Sequence, residues 1–156
     1  MVVVIKYAKT DSVRYTSHND IMRQLQRTVR RMGAAAELSA GFNPHMLTYS
    51  SPPLPLGLTS EAEYFTVVLK GGEDAFQDSY RKNCHPGLPL LKSWILPRNP
   101  NLAGKVTQSA YRYFTTDITT CKKPKEICED YANLVRIEQF IGDVSADRYL
   151  DEGNNC

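Results

Sequence analysis

The chain has 156 residues, with 19 lysines and arginines against 17 aspartates and glutamates, giving a formal net charge of +2 at pH 7. Hydrophobic residues make up 42% of it, and glycine and proline number nine each, which excludes collagen-like, low-complexity and disordered chains. The apolar start at residues 1–5 lacks the flanks of a signal peptide, and no stretch approaches the roughly 20 apolar residues of a membrane span. We therefore expect a cytoplasmic domain that has no membrane partner.

The first two predicted elements are a strand and an amphipathic helix. Residues 2–7 are a run of mostly β-branched residues, typical of a strand buried on both faces. A helix then begins after Ser17, whose hydroxyl is placed to accept from the Asp20 amide, and it ends at Gly33. At about 100° per residue, its apolar residues share one arc and its arginines share the opposite one. The apolar arc holds Ile21, Met22, Leu25, Val29 and Met32.

The middle of the chain alternates between strand and helix patterns. Two strand pieces are predicted at residues 36–39 and 46–50, separated by a turn-rich segment, and residues 52–57 are too rich in proline for a central strand. A strand at 62–70, a helix at 73–84 and a strand at 90–96 follow. The order predicts an α+β fold, a ferredoxin-like βαββαβ antiparallel sheet with two helices on one face and the other face available.

Beyond this unit the pattern predicts an extra strand and a C-terminal helix. The strand covers residues 105–116, and Pro124 is well placed as the first residue of a helix that runs to about Phe140. We interpret residues 1–142 as a single ferredoxin-like domain with a C-terminal extension. Residues 143–156 are acidic and polar and are predicted to be a loose tail.

Five spaced blocks, at residues 14–23, 30–33, 41–45, 53–57 and 60–64, resemble one family. This is the radical-SAM-linked bacterial domain of unknown function, found alone or fused C-terminal to radical SAM proteins. The resemblance spans about residues 2–97 and does not continue beyond Cys121. The same blocks show a fainter similarity to ferredoxin-like, repeat-associated proteins that process CRISPR transcripts. These resemblances imply RNA or a radical SAM protein as a partner, and they do not supply a reaction.

A basic stripe and a rigid turn form the predicted binding site. Residues 1–60 carry seven lysines and arginines against three acidic residues, and guanidinium groups on one helix face can contact successive phosphates. Gly41 can adopt a positive φ, and Pro44 holds the residue before it extended. We expect a non-catalytic RNA-binding or accessory module. Its candidate residues are Ser17, His18, Arg23, Arg27, Arg30, Gly41, Phe42, Asn43 and His45.

Three other interpretations of these residues stay open. His18 and His45 are weak candidates for general acid and base groups in a metal-independent endoribonuclease, because a histidine beside a helix start stays neutral near pH 7. The apolar segment 52–58 is a candidate docking site for a radical SAM enzyme. Tyrosines on an open sheet face are candidates for base stacking, namely Tyr49, Tyr64, Tyr111 and Tyr113. The plainer alternative is that the histidines only cap or brace loops and the arginines are a solvated helix face.

The sequence predicts neither a metal nor a cofactor. The four cysteines lie far apart and form no CxxC pair, so we expect free thiols. The closely spaced three-cysteine motif of radical SAM enzymes is absent, as are a phosphate-binding glycine loop and a hydrolase Gly-x-Ser-x-Gly motif. Any radical chemistry would therefore belong to a partner.

Overall fold

A computed structural model of the chain describes residues 1–71, 76–105, 109–115 and 134–141, the last two segments as backbone. The described strands are β1 (Val2–Lys9), β2 (Thr48–Ser50), β3 (Thr59–Val68), β4 (Leu90–Leu96), β5 (Ser109–Thr115) and β6 (Leu134–Ile141). The described helices are α1 (His18–Arg31), α2 (Phe76–Asn83) and the one-turn α3 (Leu102–Lys105). A short 3-10 helix at Asp11–Val13 leads towards α1.

The first four strands and the first two helices have the predicted βαββαβ order. The strands lie side by side as β4-β1-β3-β2, and each neighbouring pair is antiparallel. This is the arrangement of a ferredoxin-like α+β fold, in which each β-α-β crossover leaves room for one strand between its two strands. The prediction from the order of sequence patterns is confirmed.

The main core lies between the sheet and the two helices. β1 is central, and Val3, Val4 and Ile5 are completely buried, as expected for a strand covered on both faces. One core cluster joins alternate residues of β1 and β3 to both helices, which confirms that α1 and α2 pack on the same face. Its members include Val3, Ile5, Phe65, Val67, Ile21, Leu25, Val29, Phe76 and Tyr80.

The opposite face of the sheet is also covered, so the expectation of an open face for base stacking is wrong there. Tyr64 is only 2% exposed, and its ring lies 6.4 Å from that of Trp94. Leu102 of α3 packs in the same cluster. Helix patterning alone did not reveal this second layer, because α3 is a single turn. Of the other three tyrosines, Tyr49 is exposed on the edge strand β2, whereas the side chains of Tyr111 and Tyr113 lie outside the described residues.

Helix α1 begins and ends where the sequence indicates. The Ser17 hydroxyl accepts a hydrogen bond from the Asp20 amide at 3.2 Å. At the other end Gly33 has a φ of 74°, and its amide donates to the carbonyl of Arg30 at 3.0 Å. Glycine tolerates this left-handed conformation because it has no Cβ. Both predicted caps are confirmed.

The C-terminal part departs from the prediction. The fifth strand is confirmed at Ser109–Thr115, but residues 134–141 form strand β6 and do not end a helix. β6 pairs antiparallel with β5 and parallel with the start of β3, so sheet pairing overrides the helix pattern. The segment is rich in aliphatic and β-branched residues, which suit a strand. The rest of the predicted helix, at 124–133, and the tail at 143–156 lie outside the described residues.

Smaller differences concern element ends. The piece predicted at 36–39 contributes only isolated bridges, Ala36 with Leu69 and Leu38 with Met46, and β3 begins at Thr59, three residues earlier than predicted. The second helix is described from Phe76 onwards, and residues 73–75 of its predicted range lie outside the described residues.

The Ser17 cap predicts a measurable contribution to stability. Replacing Ser17 with alanine should lower the free energy of unfolding by about 1 kcal/mol, because the Asp20 amide loses its acceptor. Ser17→Asn keeps a side-chain acceptor and should retain most of the stability. Urea denaturation of both variants checks this, and equal losses in the two variants would contradict a capping role.

Candidate functional site

A polar cluster lies on the helix-facing side of the sheet, where β1 ends and β3 begins. Across these strands Tyr7 is opposite Glu63 and Lys9 is opposite Ser60, so the register shifts by one residue between the two pairs. Directly opposite residues share a face of the sheet. The shift therefore places Ser60 on the same face as Glu63, although residues three apart in a regular strand point to opposite faces.

Ser51, just after β2, connects the edge of the sheet to Glu63. Its amide donates to the Tyr64 carbonyl at 3.0 Å, and its hydroxyl accepts from the Tyr64 amide at 3.2 Å. The same hydroxyl donates to a Glu63 carboxylate oxygen at 3.4 Å. The proline-rich segment that follows β2 thus begins with a serine fixed beside a buried carboxylate.

Lys9 and Glu63 are both buried, at 2% and 6% exposure. Burial raises the pKa of Glu63, and hydrogen bonds from Ser60 and Ser51 together with the Lys9 charge oppose that rise. Burial lowers the pKa of Lys9, and the Glu63 carboxylate opposes that shift. Each group thus favours the charged form of the other.

His18, the first residue of α1, is influenced by the charge of Lys9. Burial is the larger cause that lowers the pKa of His18, and the Lys9 charge lowers it further. Its Nε2 lies 3.4 Å from the Ser50 hydroxyl. The imidazole is therefore neutral at pH 7, as the sequence predicts, but the causes are burial and a lysine that sequence reasoning missed. We use the name polar cluster for Tyr7, Lys9, His18, Ser50, Ser51, Ser60 and Glu63.

Two tyrosines extend the polar cluster into the core. Burial raises the pKa of Tyr7, and Glu63 and Tyr80 add to the rise. The hydroxyl of Tyr80 is buried and has no hydrogen-bond partner among the described residues. Burial is also the main cause that raises the pKa of Tyr80. Both phenols therefore stay protonated near pH 7.

The predicted arginine face, consisting of Arg23, Arg27 and Arg30, is exposed to solvent. Arg23 is paired with Asp20 at 3.0 Å on the helix surface. Arg31 does not belong to this face, because its guanidinium donates at 2.6 Å to the carbonyl of Asn83 at the end of α2. At about 100° per residue, Arg23 and Arg30 lie within about 60° of Gln26 around the helix.

Gln26 fixes the arginine face relative to the sheet. Its amide donates to the Thr48 hydroxyl of β2 at 3.0 Å. β2 is an edge strand within the described residues and pairs only with β3. The arginine face consequently lies alongside this edge of the sheet.

The loop at 39–45 is closed by His45 and presents Phe42. The Ser39 hydroxyl lies 2.8 Å from Nδ1 of His45, and the Ser39 amide donates to the His45 carbonyl at 2.8 Å. Gly41 has a φ of 126°, which confirms the predicted left-handed turn. Phe42 at the tip is fully exposed, and Asn43 and Pro44 are exposed as well.

The two histidines are not brought together. His18 contacts Ser50, whereas His45 contacts Ser39 and precedes Ser50 by five residues of largely extended chain, roughly 16 Å at about 3.3 Å per residue. His18 therefore belongs to the polar cluster and Ser17 precedes it in the chain, whereas the residues of the loop at 39–45 belong to a separate surface. Lys9 and Glu63 were missed because a lysine and a glutamate at strand ends look like solvent-facing residues. Their only sequence signal is a charge inside an otherwise apolar, β-rich run.

A family of uncharacterised proteins conserved in bacteria, DUF2344, matches residues 3–142. The chain belongs to this family. The matched residues include the polar cluster and the arginine face. They also include the four strands β1 to β4, except for the first residue of β1, and the two C-terminal strands β5 and β6. No curated protein matches the chain.

The described residues contain neither a candidate metal site nor a candidate membrane-spanning helix. Among them, no three histidine, cysteine or acidic side chains are grouped so as to hold a metal ion. No helix in the same part of the chain is long and apolar enough to cross a bilayer.

The effect of the Lys9 charge on His18 predicts a change in titration. Lys9→Met removes a positive charge that disfavours the imidazolium, so the pKa of His18 should rise from its lowered value towards the ordinary one. NMR titration of the His18 ring protons measures it. A His18 that titrates in the ordinary range in the unmodified protein, and is unmoved by Lys9→Met, would contradict the described arrangement.

Proposed function

We propose that the chain is a non-catalytic RNA-binding module whose contact surface is the arginine face of α1 together with the loop at 39–45. The proposal rests on the exposure of three arginines on one side of α1, whose other side packs against the core. A scattered set of surface charges would not have this order. The basic excess of residues 1–60 points to the same kind of partner.

The spacing of the arginines suits a nucleic-acid strand. Arg23 and Arg30 are seven residues apart, about 10 Å along the helix axis at 1.5 Å per residue. That length corresponds to roughly three steps of a stacked strand at about 3.4 Å each. Guanidinium groups bind phosphate oxygens through two parallel hydrogen bonds, which makes arginine the better residue for this contact.

Phe42 supplies the second kind of contact. A fully exposed phenylalanine is costly in water, and here it stands on a loop closed by Ser39 and His45. A rigid aromatic ring offers a stacking platform for an unpaired base, an interaction worth about 1–3 kcal/mol per base. The loop and the arginine face thus combine stacking with phosphate contacts. The endoribonuclease that uses both histidines has less support, because His18 and His45 contact different segments.

The arginine face predicts how RNA binding depends on salt. Replacing Arg23, Arg27 and Arg30 together with glutamine should weaken binding to a single-stranded RNA. It should also lower the slope of log K against log salt by about 2, since each phosphate contact contributes about 0.7. Filter binding or fluorescence anisotropy between about 50 and 200 mM salt measures the slope.

A matched triple variant removes the same charge elsewhere. Lys70, Arg81 and Lys82 are exposed, so their glutamine variants should leave the salt slope close to that of the unmodified protein. Equal losses of RNA affinity and salt slope in the two triple variants would show that binding depends only on net charge and not on the arginine face. Absence of measurable affinity at low salt would reject the RNA-binding proposal.

A second candidate function is docking on a radical SAM protein through the segment 52–58. The observation in its favour is an exposed apolar pair: Leu56 is 62% exposed and Tyr15 is 71% exposed. The Gly57 amide donates to the Arg14 carbonyl at 2.9 Å, so the two side chains extend from adjacent, fixed segments. Leu54 is buried and anchors the segment.

Leu56→Asp tests this docking surface. Affinity purification from a bacterium that encodes the chain, followed by mass spectrometry, should recover a protein with the closely spaced three-cysteine motif, and Leu56→Asp should lose it. Leu38→Asp is the matched control, because Leu38 is 53% exposed in a different loop. Recovery of no such protein, or its equal loss with both variants, would reject docking through this segment.

A further inference from the structure

The outer edge of β4 faces no other strand within the described part of the chain. β4 is the last strand on its side of the sheet, and it pairs with β1 alone among the described strands. The backbone groups along such an edge are a template for pairing with a further strand. Two large apolar side chains remain exposed on this edge strand, Leu91 at 45% and Ile95 at 49%. The edge therefore combines open hydrogen-bonding groups with exposed apolar surface.

The hydrogen bonds of β1 determine which residues of β4 point outwards. Met1 exchanges two bonds with Leu69 on the β3 side: its amino group donates to the Leu69 carbonyl at 2.9 Å, and its carbonyl accepts from the Leu69 amide at 2.8 Å. Backbone groups of successive residues alternate between the two neighbouring strands. The even-numbered residues of β1 thus bond to β4, where the residues opposite them are also even-numbered. Ser93 and Ile95 consequently direct their amides and carbonyls away from β1.

The side chains of β4 are arranged symmetrically about Ser93. The exposed apolar residues Leu91 and Ile95 lie two positions before and after it, and Lys92 and Trp94 lie one position before and after it. The Lys92 ammonium is 4.8 Å from the centre of the Trp94 ring, a favourable cation–π distance. When two such strands run antiparallel with Ser93 opposite Ser93, leucine is opposite isoleucine and lysine is opposite tryptophan. The strand is thus complementary to a second copy of itself.

We propose that two copies of the chain associate through β4, antiparallel about a two-fold axis at Ser93, so that one sheet continues across the dimer. The two Ser93 residues exchange amide-to-carbonyl hydrogen bonds, and Leu91 of each copy packs against Ile95 of the second copy. This pairing uses the same edge of both copies and is therefore closed. Pairing of β4 with β5, the other end of the described sheet, would leave an edge open at every step and build a fibre.

A bulge limits the strength of this association. Lys6 is opposite Lys92 and Tyr7 is opposite Leu90, so Leu91 is an extra residue that no residue of β1 faces. Bulges reduce the tendency of an edge strand to pair. One pair of short strands is also a small interface beside the roughly 1,600 Å² of a standard complex. We therefore expect a reversible dimer with a dissociation constant in the micromolar range.

The dimer leaves the arginine face of α1 accessible. That face lies alongside β2, and the order β4-β1-β3-β2 puts two strands between β2 and the edge used for association. At about 4.8 Å per strand, β2 and β4 are roughly 14 Å apart. Self-association is therefore independent of the proposed RNA binding, and either can fail without the other.

Sedimentation velocity of the full chain, from low to high micromolar concentration, tests the association. We expect a concentration-dependent dimer that Ile95→Lys weakens at least tenfold, because the substitution places a charge in the apolar contact. Leu38→Lys is the matched control, since Leu38 is 53% exposed in a different loop, and it should change the dissociation constant less than twofold. A monomer at every concentration would overturn the inference and leave the edge to an extended segment of another protein. Equal weakening by both lysine variants would also overturn it.

Two variants of Ser93 separate backbone pairing from side-chain contact. Ser93→Pro removes an amide that points away from β1, a position where an edge strand tolerates proline, and should abolish the dimer. Ser93→Ala keeps the amide and should retain the dimer. Circular dichroism checks that both variants are folded, and dimerisation unchanged by Ser93→Pro would contradict the proposed pairing.

Disulfide cross-linking measures where the two-fold axis lies. Directly opposite, hydrogen-bonded residues have Cα atoms about 5.5 Å apart, within the range that a disulfide spans, so Ser93→Cys should link two copies on oxidation. In the same register the two Ile95 residues are four positions out of line, roughly 13 Å at about 3.3 Å per residue, so Ile95→Cys should not link to itself. Mass spectrometry identifies the linked peptides. Linkage at Ile95 without linkage at Ser93 would overturn the proposed pairing.

Discussion

The antiparallel pairing of β1 with β3 is the contact on which the rest of the structure depends. β1 is central and buried on both faces, so its register with β3 decides which side chains meet the helices and which meet the second layer around Trp94. The one-residue shift near the end of this pair is equally decisive, because it turns Ser60 towards the helix side beside Glu63. The same register shift places Lys9 opposite Ser60. A buried polar cluster therefore arises from the same pairing that builds the core.

The sequence patterns correctly predicted those features of the fold that depend on interactions between residues close together in the chain. The Ser17 cap and the Gly33 end of α1 depend on a few neighbouring residues, and both were predicted correctly. Features that depend on distant parts of the chain were missed: β6 forms through pairing with β5 and β3, and Tyr64 is buried by Trp94 and Leu102. The candidate site divides in the same way, since the exposed arginines follow from helix periodicity, whereas Lys9 and Glu63 meet only through the β1–β3 register.

Helix α1 organises two surfaces of different character. Its outer side presents the arginine face next to β2, positioned by the bond from Gln26 to Thr48. Its first turn carries His18, where burial and the Lys9 charge lower the pKa of the imidazole and keep it neutral. An exposed face of guanidinium groups suits contacts with a long flexible anion. The two surfaces differ in exposure and charge, so substitutions in this chain can test them separately.

The register of β1 against β3 near Lys9 can be measured directly in solution. Cross-strand nuclear Overhauser effects in the isotope-labelled protein report which backbone protons face each other. We expect Tyr7 opposite Glu63 and Lys9 opposite Ser60. A regular ladder that continues from Tyr7 and Glu63 to pair Lys9 with Glu61 would turn Ser60 away from the helices, and the polar cluster as described would not exist.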